Sequence, residues 1–186
     1  MLMKSMANQD PVMTSDERVY VTRLLKDSMT EYLSHIETVS ETQWIWKSLP
    51  GRWSIGETAE HIMLNEAFLF GVVQRALQLP PDPDWQSKTA GKSDLLERLM
   101  PDRSRKATAP EPVNPKGLPK EEVIRKFKQS RAQTLLFAET TQLPLKAHTR
   151  EHPFPIFGVL NAYQWLLYIP LHHRRHNQQI AAALRT

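Results

Sequence analysis

Two histidines near the end of the chain have the spacing of a metal-binding pair. His172 and His176 are four residues apart in an apolar stretch. On a helix, both imidazoles would therefore lie on one face, with Cβ atoms about 6 Å apart. A helical His-x-x-x-His pair is a recurrent way to bind one divalent transition-metal ion. Such an ion needs at least one more ligand, which must come from another of the seven histidines or from an acidic residue.

His61 is the best candidate for this further ligand. It lies in the first turns of an apolar segment, where Ser54 and Glu57 have the spacing of a capping box and predict a buried helix from Ile55. A buried imidazole needs partners for both ring nitrogens. Glu57, one turn earlier, is a candidate partner for one nitrogen, and a metal ion is a candidate for the other. A core histidine is more often only hydrogen-bonded, but the helical pair favours the ligand interpretation.

The composition excludes several kinds of site. The 186 residues include no cysteine, which rules out disulfides, thiolate nucleophiles and Cys-bound zinc and leaves His, Asp and Glu as metal ligands. With 40% hydrophobic and 24% charged residues, the chain has the composition of a soluble globular protein. The first eleven residues lack the apolar region of a secretory signal, and no apolar run is long enough to span a bilayer. We therefore expect a cytoplasmic protein with no membrane partner.

The net charge of +4 comes largely from basic residues in a Pro-rich part of the sequence. These residues do not form a stripe along a helix, so we interpret them as a solvated, mobile face, which disfavours nucleic-acid binding. They are Lys88, Lys92, Arg98, Arg103, Arg105, Lys106, Lys116 and Lys120.

Apolar residues at three- and four-residue spacing predict four long helices. With no strand-like alternation and no internal repeat, this pattern predicts an all-α fold, a four-helix bundle. Residues 1–14 are predicted to be a flexible leader and residues 15–186 a single domain. The predicted helices run from Thr14 or Ser15 to about Val39, from Ile55 to just before Pro80, from Pro119 to near Thr141, and from near Phe157 or Asn161 to Ala183.

A long Pro-rich connection, residues 80–118, separates the second and third predicted helices. Within it, a short helical turn is expected from Ser93 to Met100, and residues 107–115 are expected to be extended. A connection of this length is typical of a lid, a binding loop or a mobile arm. A second Pro-containing stretch, residues 146–155, is predicted to be non-helical, so its two histidines, His148 and His152, are interpreted as loop residues.

One face of the fourth predicted helix is too polar for an ordinary core. It carries the histidine pair together with Asn161, Trp165, Tyr168 and Gln179. If a metal ion lies on this face, we expect substrate to enter beside Asn65, Trp165 and Tyr168, which are the candidate pocket residues.

The order of these motifs resembles the DinB-like superfamily. The motifs are Trp53-Ser54-x-x-Glu57-x-x-x-His61, then Phe157-Gly158 and Trp165, then His172-x-x-Arg175-His176-x-x-Gln179-Ile180. That superfamily includes proteins named after damage-inducible DinB and the bacillithiol- and mycothiol-dependent S-transferases. The resemblance covers nearly the whole chain. It implies a four-helix bundle, often dimeric, with a divalent metal ion held by three histidines, which fall on His61, His172 and His176.

Three functions remain open on these residues. The first is a metal-dependent hydrolase or thiol S-transferase that acts on a small-molecule substrate, since three neutral imidazoles leave a coordination position open to activate water or a low-molecular-weight thiol. The second is a non-catalytic metal-containing binding or stress-response protein. The third is a helical bundle whose histidines are satisfied by hydrogen bonds. The resemblance favours zinc or nickel, with iron and manganese as alternatives, and leaves a homodimer open; no catalytic residue is assigned.

Overall fold

Residues 10–102 and 110–185 are described by a computed structural model. Long helices dominate, which confirms the all-α prediction. The long helices are α1 (Ser15–Ile36), α3 (Ile55–Leu77), α6 (Lys120–Thr140) and α7 (Ala162–Ala183), and the short ones are α2 (Glu41–Ile45), α4 (Trp85–Thr89) and α5 (Lys92–Leu99). Single 3₁₀ turns form at Glu111–Val113 and Leu145–Ala147, and two short strands are β1 (Thr149–Glu151) and β2 (Val159–Asn161).

Capping boxes start three of the four long helices. Thr14, Ser54 and Asn161 each accept a hydrogen bond from the backbone N–H three residues later, and the side chain at that later position accepts from the backbone N–H of the cap. Each pair satisfies two N–H groups that the first turn of a helix leaves without partners. The predicted starts of α1 and α3 agree with the structure, and α7 begins after Asn161, the later of the two predicted positions.

The long helices pack so that α1 and α3 lie at opposite corners of the bundle. Each of these two helices packs against both α6 and α7. The contact between α3 and α7 is the most extensive in the fold, and it brings the first half of α3 against the second half of α7. This contact places His61 opposite the histidine pair.

A layer of buried polar residues divides the core into two apolar clusters. One cluster includes Leu25, Leu69 and Ala138, and the other includes Tyr32 and Ile62. Along each long helix, the fully buried polar side chains fall between the residues of the two clusters, and they are Ser28, Glu66, Arg131, Thr134, His173 and Asn177. All four long helices therefore contribute to one polar layer.

The connection between α3 and α6 contains more regular structure than predicted. The predicted turn at Ser93–Met100 is a helix, α5, that begins one residue earlier at Lys92. Gly91 precedes it with φ +70°, a conformation that glycine adopts readily. Residues 111–113 form a 3₁₀ turn rather than extended chain, because Pro112 at the start of such a turn has a suitable φ. Residues 103–109, including the first part of the predicted extended run, lie outside the described residues.

The stretch before α7 was predicted to be non-helical, and it contains no α-helix. It forms a small hairpin in place of an irregular loop. β1 and β2 form an antiparallel ladder in which Arg150 faces Leu160. Strands of three residues are too short to show an alternating pattern in the sequence. His148 and His152 flank β1 outside any helix or strand, as predicted, and both are buried.

The segment before α1 contacts the body of the protein from Pro11 onward. The backbone N–H of Lys146 donates to the carbonyl oxygen of Pro11 at 2.8 Å, and Met13 is buried. Residues 1–9 of the predicted leader lie outside the described residues. Of the helices in the described ranges, none has both the length and the apolar character that crossing a membrane requires.

Candidate metal centre

Three histidines from two helices meet at one point. His61 comes from α3 and His172 and His176 come from successive turns of α7, and each offers a ring nitrogen within 4.8 Å of the others. Nε2 of His172 lies 3.2 Å from Nε2 of His176. Nitrogens bound to one tetrahedral zinc ion lie about 3.3 Å apart, given Zn–N bonds of about 2.0–2.1 Å. The α7 pair already has the separation that a shared ion requires.

The protons of two of these rings are directed away from the shared point. Nδ1–H of His61 donates to the carbonyl oxygen of Val113 at 2.8 Å. Nδ1–H of His176 donates to Oε1 of Gln179 at 3.2 Å. Because a neutral imidazole carries one N–H, each of these hydrogen bonds leaves a lone pair on Nε2. Hydrogen bonds of this kind, from the nitrogen that does not bind the metal, orient histidine ligands in metalloproteins.

The surroundings of His61 and His172 favour the neutral imidazole, which is the form that binds a metal ion. Burial lowers the pKa of His61, although the hydrogen bond to Val113 acts in the opposite direction. Burial, together with His176 and His61, holds the pKa of His172 well below its usual value. Nδ1 of His172 is also buried without a hydrogen-bond partner among the described residues. At neutral pH, His61 and His172 therefore offer uncharged nitrogens.

These observations fit a divalent transition-metal ion. Imidazole is a good ligand for zinc, nickel, copper and iron. The amide nitrogen of Asn65 lies 2.9 Å from Nε2 of His61, a contact that agrees with a lone pair on that nitrogen. Trp53 stacks obliquely on His61, with ring centroids 4.7 Å apart. His61 is buried, whereas His172 and His176 are half-buried, so the two α7 histidines are the more exposed members of the cluster.

Glu57 has other partners in the structure. Its Oε2 accepts from the backbone N–H of Ser54 at 2.8 Å, and its Oε1 is 2.8 Å from Nζ of Lys47. These two bonds hold the pKa of Glu57 below its ordinary value despite the opposing effect of its partial burial. The partner of Nδ1 of His61 is instead the backbone of Val113, 52 residues away. Every residue type has a backbone carbonyl, so the sequence contained no signal for this contact.

The candidate pocket residues divide between two environments. Asn65 lies directly on His61, as described above. Trp165 and Tyr168 are buried one to two turns before the histidine pair, and Tyr168 stacks on His172 with centroids 5.9 Å apart and an interplanar angle of 17°. Trp165 stacks on His152 with centroids 4.9 Å apart. A chain of rings therefore leads from the β1–β2 hairpin to His172.

His152 lies in the middle of this aromatic group, and its burial has a measurable consequence. Its Nδ1 accepts from the backbone N–H of Phe154 at 2.9 Å, and burial lowers its pKa from 6.5 to about 4. The unfolded chain therefore binds one more proton than the folded chain between these values. We expect the contribution of His152 to leave the free energy of unfolding unchanged above pH 6.5 and to lower it by up to about 3 kcal/mol as the pH approaches 4. Urea titrations across this range measure the loss.

The matching variant is His152→Phe, which keeps an aromatic ring and removes the titrating group. Its unfolding free energy should depend on pH less steeply than that of the wild type between pH 4 and 6.5. His35→Ala serves as a control because His35 is only partly buried, with 24% of its side chain exposed. Equal slopes for wild type and His152→Phe would contradict the assignment.

The polar layer next to the histidines was missed in the sequence. Arg131 donates from Nε to Oε1 of Glu66 at 3.0 Å and from an NH2 group to Oε2 at 2.8 Å. It also donates to the carbonyl oxygen of Leu25, to Oγ of Ser28 and to Nδ1 of His173. Both charged side chains are fully buried. Glu66, the last of three glutamates in α3 and directly followed by an apolar run, was the available signal.

His173 belongs to this layer and not to the three-histidine cluster. It is fully buried on the neighbouring face of α7, and Arg131 occupies its Nδ1. Burial and the charge of Arg131 hold its pKa well below the usual value. The layer thus connects the backbone of α1 to α3, α6 and α7 immediately beside His172.

Comparison with protein families identifies the chain. No curated protein and no solved structure gives a significant match. A family model described as the DinB superfamily matches residues 24–180, a range that begins in α1, ends in α7 and contains all three histidines. This range is most of the chain and agrees with the resemblance seen in the motifs. The chain therefore belongs to the DinB superfamily.

Proposed function

We propose that this protein binds one divalent transition-metal ion through His61, His172 and His176 and uses it to act on a small-molecule substrate. The observation that carries the proposal is the convergence of three ring nitrogens within 4.8 Å of one another. Membership of the DinB superfamily supports it. The superfamily resemblance favours zinc or nickel, with iron and manganese as alternatives, and imidazole is a good ligand for zinc and nickel.

The proposed chemistry is hydrolysis or thiol S-transfer. A divalent ion held by three neutral histidines would supply a Lewis acid with an open coordination position, suited to activating water or a low-molecular-weight thiol. The chain's own contribution is orientation. Val113 and Gln179 accept the Nδ1 protons of His61 and His176, so both lone pairs are available at Nε2. Asn65 places an amide beside the same point, where it can contact a substrate atom.

Metal content and turnover together test the proposal. Protein purified without a histidine tag should contain about one equivalent of a transition metal. The metal-loaded protein is then screened against a thiol with electrophilic substrates and, separately, against esters and amides, with His61→Ala as the inactive reference. Turnover that depends on His61 in one screen identifies the reaction class. If wild type and variant are equally inactive in both screens but metal is bound, the non-catalytic metal protein is the correct alternative.

The absence of bound metal in untagged protein, even after incubation with zinc or nickel, would leave only the hydrogen-bonded bundle. Homodimer formation, which the superfamily resemblance supports, is checked on the same samples by light scattering. Neither the substrate screens nor the metal analysis depends on the oligomeric state.

A further inference from the structure

Glu60 is a buried carboxylate that binds a loop rather than a charged side chain. It is only 1% exposed, although it lies on α3 next to the ligand His61. Its Oε1 accepts from the backbone N–H of Lys116 at 2.9 Å, and its Oε2 accepts from those of Gly117 and Leu118 at 2.8 and 3.0 Å. Hydrogen bonds to an ionised carboxylate are roughly twice as strong as neutral ones. Three of them attach this part of the Pro-rich connection to α3.

The attached segment carries the carbonyl group that contacts His61. Val113 lies three residues before Lys116, its side chain is 1% exposed, and its carbonyl oxygen accepts from Nδ1 of His61 at 2.8 Å. The far end of the segment is held as well, because the indole N–H of Trp44 donates to the carbonyl oxygen of Leu118 at 3.3 Å. Two neighbouring residues of α3 thus bind the same segment: Glu60 accepts from the segment's N–H groups, and His61 donates to one of its carbonyl oxygens.

We propose that Glu60 is a positioning residue for the metal centre: by binding residues 116–118, it holds the Val113 carbonyl on Nδ1 of His61 and so directs the Nε2 lone pair toward His172 and His176. The effect on metal affinity rests on the proposed metal binding, whereas the effect on the orientation of His61 does not. An imidazole that carries its proton on Nε2 has no lone pair there to offer a metal ion. The hydrogen bond made by the other nitrogen decides which tautomer is present.

The tautomer of His61 can be measured directly in metal-free protein. Long-range ¹H–¹⁵N correlation spectra of ¹⁵N-labelled protein show which ring nitrogen carries the proton. In the wild type, we expect His61 to be protonated at Nδ1. In Glu60→Gln, the side-chain amide faces three N–H donors. Only its oxygen can accept a hydrogen bond, whereas its NH2 group cannot, so the segment loses part of its attachment. We expect the Nε2–H form of His61 to become populated, and more so in Glu60→Ala.

Metal affinity is the second readout. Competition with a chromophoric chelator should show zinc binding weakened about 10- to 100-fold in the Glu60 variants, the range typical for the loss of a group that orients a ligand. Gly117→Ala perturbs the same segment from the loop side. Gly117 has φ +84°, and an added Cβ would meet no atom within 4 Å, so the change acts only through the backbone conformation. We expect the same shifts as in Glu60→Gln.

Two controls separate positioning from a general loss of structure. His148 donates Nδ1–H to the carbonyl oxygen of Leu79 at 2.8 Å, away from the segment, and its tautomer should not change in any variant. Glu139→Gln makes the same chemical change at a surface carboxylate paired with Lys26 and should leave His61 and zinc affinity unchanged.

The outcomes are distinct. A shift at His61 without one at His148, accompanied by weaker zinc binding, supports the proposal. A shift at His61 in a protein that does not bind zinc would overturn the metal function and leave the role of Glu60 in orienting His61 standing. If the Glu60 variants that fold, together with Gly117→Ala, keep His61 protonated at Nδ1 and bind zinc like the wild type, Glu60 has no positioning role. Should Glu60→Ala fail to fold, Glu60→Gln and Gly117→Ala decide.

Discussion

Arg131→Ala is expected to lower the free energy of unfolding by about 3–5 kcal/mol, the usual cost of removing one partner of a buried ion pair. The loss is large because the buried Glu66 carboxylate would lose its two Arg131 hydrogen bonds. Of its described contacts, only the 2.6 Å bond from Thr134 and a more distant His173 would stay. The carbonyl oxygen of Leu25 and Oγ of Ser28 in α1 would each lose the hydrogen bond from Arg131 at the same time. Urea unfolding at neutral pH, followed by circular dichroism, measures the change.

A matched control lies one turn earlier on the same helix. Lys128 pairs with Glu37 at 2.9 Å, but both side chains are about half exposed. Lys128→Ala should cost less than about 1 kcal/mol, because water replaces an exposed ion pair at little cost. If the two variants proved equally stable, the buried pair would not be the structural centre that its geometry indicates.

His176→Ala is expected to abolish stoichiometric metal binding. Removing one of three protein ligands should weaken zinc binding by at least about 100-fold, more than the 10- to 100-fold typical for a group that only orients a ligand. Protein purified without a tag should then retain less than about a tenth of an equivalent, as measured by plasma mass spectrometry. His172→Ala and His61→Ala should behave alike, because the three nitrogens share one point.

The control for this prediction is a histidine outside the cluster. His35 on α1 has its Nε2 3.9 Å from a carboxylate oxygen of Glu31. His35→Ala should keep the wild-type metal content. Full metal content in His176→Ala would contradict the three-histidine site, and equal metal loss in His35→Ala would show that binding is not specific to the cluster.

Much of the fold was predictable because its determinants are local. The start of α3 depends on two side chains three residues apart, Ser54 and Glu57, and the structure shows both bonds of the capping box between them. The start of α7 depends in the same way on Asn161 and Gln164. The hairpin was not predicted, since its pairing joins residues about ten positions apart through strands too short to carry a pattern.

The candidate site was predictable in part for the same reason. His172 and His176 share a helix face, and α-helix geometry alone brings them together. His61 could be proposed because a histidine in an apolar helix requires buried partners. Val113 and Glu60 could not be proposed as parts of the site. One acts through its backbone, and the other is a glutamate whose partners are three backbone N–H groups nearly 60 residues away.

Helix boundaries and the pairing of two histidines follow from residue types and their spacing, because these properties depend on neighbours within about one helical turn. The absence of cysteine ligands follows from the composition alone. Packing of α3 against α7 was needed to bring the third imidazole within 4.8 Å of the other two. Packing also set which nitrogen of His61 carries its proton and joined Arg131 to Glu66 across the core. Such contacts depend on the relative positions of separate helices and loops, which short-range spacing in a single sequence does not encode.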